Sequence, residues 1–232
     1  MRSVGESRAT MRRQPPRFTA AQGAALAKLA YAAEHGASVA LLCGPAGVGK
    51  TMLLRHVAET GLPMARRVGL CDAEDPVVGA ADGTDSDGEV DLLLVDNADR
   101  VAASGLVALV ESWRRRRPGT AIVLAGRGRL LSVCGGDRRL EQSVRLRATL
   151  PPFTLDETRW LLRPLLGDEA VDAAPDRGAD PLATIHEIAG GVPAVALWLA
   201  EMAGVLAAAD PGRRLSTEDV EAIHRRLCLR AA

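Results

Sequence analysis

Gly44-Pro45-Ala46-Gly47-Val48-Gly49-Lys50-Thr51 fits the Walker A pattern G-x-x-x-x-G-K-[ST], and its flanks decide the fold. Upstream, Ser38-Val39-Ala40-Leu41-Leu42-Cys43 is an apolar run of strand length. Downstream, Met52-Leu53-Leu54-Arg55-His56-Val57 continues as a helix toward Gly61. Strand, glycine loop and helix together are the context the motif requires. Gly44, Gly47 and Gly49 let the backbone curl so that successive N–H groups face phosphate oxygens, and the helix N-terminus adds partial positive charge. The expected nucleotide contacts are Gly44, Pro45, Ala46, Gly47, Val48, Gly49, Lys50, Thr51 and Met52, with ATP or ADP and Mg²⁺ as ligands. Lys50 would reach the β/γ-phosphates and Thr51 would hold the metal. Of the 29 basic residues only Lys28 and Lys50 are lysines, so a compact ammonium stands where phosphate binding uses one.

Reading outward, Asp91-Leu92-Leu93-Leu94-Val95-Asp96 is a second apolar run, ending in a carboxylate. A buried parallel strand delivers an acid to the sheet's C-terminal edge in this way, which makes Asp96 the second expected Mg²⁺ residue beside Thr51. Further strands are expected at 65–70, 121–125 and 144–150. Helices are expected at 20–35, 102–117 and near 137–142. Five strands alternating with helices predict an α/β fold, a five-stranded parallel P-loop NTPase sheet with helices on both faces. From Pro151 the pattern turns helical. Thr154-Leu155-Asp156-Glu157 reads as a capping box, and further helices are expected from 180 to the Gly190-Gly191 pair, over 192–209, and from Ser216 to about 229. The expected organisation is a disordered basic tail over 1–17, a nucleotide-binding domain over 18–150 and a helical lid over 151–232. Residues 71–90, rich in Asp, Glu and Gly, read as a mobile acidic loop.

At 232 residues and 47% apolar, the chain can fill a substantial core. A formal net charge of zero argues against a protein that mainly coats nucleic acid. Cys43, Cys71, Cys134 and Cys228 form no C-x-x-C pair, and the four histidines show no metal spacing, so a reduced, cytoplasmic, zinc-free protein is expected. The arginines of the first 17 residues have no apolar stretch behind them, which does not read as a secretory signal. The stretch 192–209 is too short and small-sided for a membrane span.

The chain resembles the AAA+ ATPases, and within them the group typified by general secretion pathway protein A (ExeA/GspA type), over about residues 18–225. Beyond the two nucleotide motifs, the resemblance rests on Ile122-Val123-Leu124-Ala125-Gly126, on Leu150-Pro151-Pro152-Phe153-Thr154-Leu155-Asp156-Glu157-Thr158 and on Ile188-Ala189-Gly190-Gly191-Val192-Pro193. It implies a nucleotide held between the α/β core and an all-helical AAA+ lid. It also implies ATP-dependent association with neighbouring subunits or a protein partner, and a place at the inner membrane through that partner. Members of the group serve secretion or pilus assembly, and close relatives assist DNA transposition.

Three positions depart from the pattern that the resemblance implies. Asn97 stands where a glutamate would polarise the attacking water, Gln142-Ser143 where an arginine finger is placed, and Ala194 where a sensing arginine follows the Gly-Gly-x-Pro turn. A finger is worth roughly 10³ to 10⁵ in turnover and a general base about 10² to 10⁴, so hydrolysis is expected to be impaired while binding persists. Asp99 and Arg127 are the candidates for compensating roles, as water activator and γ-phosphate contact. With no helix or pore loop expected between 71 and 90, polymer threading is not expected. The run Arg114-Arg115-Arg116-Arg117 after Trp113 complements a helix dipole without needing a ligand. Its alternative reading is contact with DNA phosphates or an acidic surface.

Overall fold

A computed structural model describes residues 17–63, 65–75, 79–80, 90–166, 180–209 and 215–228. The expected tail, apart from Arg17, and most of the expected acidic loop lie outside the described residues.

Five parallel strands form the sheet: β1 (Val39–Cys43), β2 (Val68–Asp72), β4 (Leu92–Asp96), β5 (Ala121–Gly126) and β6 (Val144–Thr149). A two-residue antiparallel strand, β3 (Gly79–Ala80), is added at one edge, giving the order β3-β2-β4-β5-β1-β6. Helices α1 (Ala20–Glu34) and α2 (Lys50–Thr60) cover one face; α3 (Ala103–Arg116), α4 (Arg129–Gly135) and α5 (Arg138–Ser143) cover the other. The strand period of two divides β1 between them. Ala40 and Leu42 pack with Leu29, Leu53 and Val57, while Val39 and Leu41 pack with Leu106, Val110 and Leu130. With both faces covered, the central strands β1, β4 and β5 are buried at every residue, which is why they read as continuous apolar runs.

After β6 come four described helices: α6 (Leu155–Leu166), α7 (Pro181–Ala189), α8 (Pro193–Ala209) and α9 (Thr217–Cys228). They enclose a separate core of Leu162, Leu182, Ile185, Leu199, Ala203 and Val220. The capping box opening α6 forms as expected, Thr154 N–H donating to Glu157 and Glu157 N–H to the Thr154 hydroxyl. Among the described residues no helix is long and apolar enough to cross a membrane.

The structure corrects several expectations. The strand expected at 65–70 lies at Val68–Asp72, because its ladder follows Leu92–Asp96 residue for residue. The backbone N–H groups of Arg66 and Arg67 instead donate to the Asp91 carboxylate. Cys71 and Asp72 therefore belong to β2 and not to an acidic loop, and Gly79–Ala80 pairs with β2. Helix α4 was not expected at all, since seven residues give too short a stretch for a clear period.

Candidate functional site

The chain order of the strands brings the two sequence motifs together. β1 and β4 are separated in the sheet by β5 alone, so the loop after β1 and the carboxylate ending β4 meet at the C-terminal edge, with Gly126 and Arg127 between them. The Thr51 hydroxyl donates to Asp96 Oδ2 at 2.6 Å, and Asp96 is 8% exposed.

The loop has the shape of a cradle. Gly47 (φ 78°) and Gly49 (φ 97°) occupy the left-handed region that glycine enters without strain. A Cβ on Gly44 would lie 2.5 Å from the Leu150 carbonyl oxygen. Val48 is buried and anchors the loop to the core, whereas Pro45, Ala46, Thr51 and Met52 are exposed. Lys50 Nζ curls back to donate to the carbonyls of Gly44 at 2.8 Å and Pro45 at 2.7 Å. Burial pushes this ammonium below the usual lysine value, against the pull of the Asp96 and Asp99 carboxylates and with a further push from Arg127.

Asp99 is not a surface carboxylate. It is 9% exposed, and its Oδ1 accepts the Arg127 backbone N–H at 3.0 Å. It lies so close over Gly126 that a Cβ there would come within 2.7 Å of Oδ1. Asn97 sets this up. Its φ of 54° is in the left-handed region, which asparagine tolerates better than most residues, and it reverses the chain into the 3-10 turn Ala98–Arg100. Arg127 is exposed, with its guanidinium near enough to Lys50 to repel it. Asp96, Asn97, Asp99, Arg127 and the loop thus form one cluster at the sheet edge.

A family model described as Novel STAND NTPase 5 matches residues 9–139, more than half of the 232. The chain belongs to this family. No curated protein matches it. Among solved structures, the STAND NTPase is similar to a variant of RuvB from Thermotoga maritima at 18% identity and a TM-score of 0.55, covering 86% of this chain and 66% of that one. It is similar also to ORC2 from Aeropyrum pernix in ADPNP-ADP complexes, at 18% identity and a TM-score of 0.54 over 89% and 68% of the two chains. NtrX from Brucella abortus in complex with ATP gives 13% identity and a TM-score of 0.58 over 91% and 58%. At such identities the likeness establishes the fold, that of an AAA+/STAND-type P-loop NTPase. The chain spans somewhat less than two thirds of the RuvB and NtrX chains.

The residues of the STAND NTPase fit Mg-nucleotide. The glycine cradle has a shape that phosphate oxygens would fit, and Thr51 and Asp96 offer the hard oxygens that Mg²⁺ takes. Among the described residues no group of three or more His, Cys, Asp or Glu side chains could hold a metal. A magnesium ion here would therefore share its shell with phosphate and water.

Two features of the site escaped the sequence reading. Asp72 ends β2 directly beside Asp96, and its Oδ2 accepts Asn97 Nδ2 at 2.6 Å. Its signal was available, a carboxylate closing an apolar run as Asp96 does. The lid also touches the loop. Ala194 N–H donates to the Gly47 carbonyl at 3.2 Å, and a Cβ on Gly47 would meet Val192 at 2.9 Å and Ala194 at 3.0 Å. No local pattern announces that contact.

The arginine run stands apart from this cluster and is engaged within the fold. Arg114 donates to Ser143 Oγ and the Ala37 carbonyl, Arg115 pairs with Glu111 at 3.7 Å, and Arg116 lies over the Trp113 ring. Ser143, at the place where the resemblance implies a finger, is the acceptor for Arg114.

Proposed function

We propose that the chain is an ATP-binding module working as a nucleotide-dependent switch or assembly factor, with ATP hydrolysis slow or absent. Gly44 to Met52 hold the nucleotide, and Thr51 with Asp96 hold Mg²⁺. The observation that carries this reading is the state of Asn97. An amide replaces the expected carboxylate, and its Nδ2 is committed to Asp72 at 2.6 Å. It cannot take a proton from water, whereas binding needs no base at that position. The adenine nucleotides named with NtrX and ORC2 support ATP and ADP as ligands.

The division into a body ending near residue 150 and a lid beginning at 151 suits a switch, since the Ala194–Gly47 contact joins them at the loop. A protein partner or neighbouring subunits would receive the signal, as in the ExeA/GspA-type proteins that the sequence resembles, at a cytoplasmic location. The internal engagement of Arg114, Arg115 and Arg116 lends the DNA reading no support.

A second reading, an active ATPase, is favoured by one observation. Asp99 is a buried carboxylate at the site, held by the Arg127 N–H, and Arg127 stands where a γ-phosphate contact would be useful. Measuring ATP and ADP affinity and multiple-turnover hydrolysis on one preparation, with Lys50→Ala as control, separates the two. Tight binding without Lys50-dependent turnover is expected of the switch. Turnover that Asp99→Asn abolishes would establish the ATPase instead.

A further inference from the structure

Gln22 is 3% exposed, in the first turn of α1, 28 positions before Lys50 in the sequence. Its amide orientation is fixed by the helix cap. The backbone N–H of Thr19 can only donate, so the side-chain atom facing it at 3.0 Å is Oε1. The Gln22 N–H in turn donates to the Thr19 hydroxyl at 3.2 Å, completing the capping box. Nε2 must then point the other way. It lies 3.4 Å from where a Cβ on Gly49 would stand, close to the Met52 Cε that is 3.6 Å from the same point. Gly49 is the residue that caps α2, so Nε2 faces the positive end of the helix that begins with Lys50. Among the described residues, no acceptor is bonded to Nε2.

Gln22 is buried as a residue, yet among the described residues no fully enclosed side-chain nitrogen or oxygen lacks a partner, so Nε2 keeps a path to solvent, and its two N–H donors, fixed in orientation, are open to an acceptor from outside the chain. Beside a glycine cradle and a helix N-terminus, the acceptor chemistry that fits is anionic oxygen. We propose that Gln22 is a nucleotide-contacting residue, its Nε2 donating to a phosphate oxygen of the Mg-nucleotide held by the loop. This rests on the nucleotide-binding reading above. It extends the site to α1, an element outside the motif, and gives Gln22 a role separate from capping.

The capping role makes the test clean. Glutamate is the usual third residue of a capping box, so Gln22→Glu preserves the bond from Thr19 N–H and keeps α1 capped while replacing the donor with an anion. Affinities for MgADP, MgATP and inorganic pyrophosphate are measured by competition against a fluorescent ADP analogue, together with the melting temperature of the nucleotide-free protein. The expected result for Gln22→Glu is about tenfold or greater weakening for all three ligands, the loss of one charge-assisted hydrogen bond, with an unchanged or higher melting temperature. Gln22→Met, which removes the donor without adding charge, is expected to weaken all three severalfold. Affinities within twofold of wild type for Gln22→Glu, while Lys50→Ala abolishes binding, would overturn this assignment and leave the nucleotide reading intact. A penalty seen with ADP but absent with pyrophosphate would overturn the phosphate contact. Wild-type protein with no Lys50-dependent binding would overturn both readings.

Discussion

Asn97 offers the sharpest test of how the site is built, because its backbone and its side chain make separable contributions. The backbone sits at φ 54°, and the side chain donates to Asp72 at 2.6 Å. Asn97→Gly keeps a residue that accepts the left-handed conformation and removes the amide. A hydrogen bond to a charged group contributes about 1.5–3 kcal/mol; Asp72 is half-buried, so the low end, about 1.5 kcal/mol, applies. For a protein of this size that is a melting-temperature loss of roughly 3–6 °C. Asn97→Ala removes the same amide and, unlike glycine, keeps a Cβ in the left-handed region without the polar side chain that lets asparagine tolerate it, about 1–2 kcal/mol worse than the glycine variant, or roughly 2–8 °C further. Asn97→Glu, which restores the carboxylate of the resembled proteins, places a third negative charge beside Asp72 and Asp96 and is expected to fall at or below the alanine variant. Differential scanning calorimetry of the nucleotide-free proteins gives the order wild type, Gly, Ala, Glu. Glycine and alanine variants melting together would refute the backbone argument. A glutamate variant as stable as wild type would refute the electrostatic one.

Other expected outcomes follow from the same geometry. Gly47→Ala forces a Cβ to within 3.0 Å of Val192 and Ala194 at φ 78°, and limited proteolysis should detect a loosened lid at a total cost of about 2–4 kcal/mol. Burial pushes the Cys71 and Cys134 thiols up to about 11, so with iodoacetamide at pH 8 peptide mapping should find both unmodified in the native protein and alkylated in urea. For the same reason the unfolded chain loses these protons first as pH rises. Stability should therefore decline between about pH 9 and 11, and the decline should be shallower in Cys71→Ala. Arg114→Ala loses its bonds to Ser143 and Ala37; calorimetry should register roughly 1 kcal/mol of destabilisation.

What the sequence disclosed depended on how local the physics was. The loop from Gly44 to Thr51 and the run into Asp96 were legible because glycine placement and fully buried strands leave uninterrupted patterns. Cap residues such as Thr154 and Asp180 likewise marked α6 and α7. The β2 strand was misplaced by three residues at its start because its ends are set by pairing with β4, and Arg66 and Arg67 carry no sign that Asp91 will take their N–H groups. Asn97 was noticed as a chemical substitution. Its conformational reason, a chain reversal that brings Asp99 over Gly126, required the coordinates. Thr19 and Gln22 spell a capping box in sequence, but nothing local says that the free end of that glutamine faces Gly49.

The bond from Ala194 to the Gly47 carbonyl has a thermodynamic consequence. Gly47 belongs to the loop proposed to hold the nucleotide, and Ala194 opens a helix packed into the core of the lid. Free energy stored in one is therefore shared by the other, and linkage works equally in both directions. A protein shortened to end after Leu150 would retain every residue of the phosphate loop and still bind nucleotide more weakly than the whole chain.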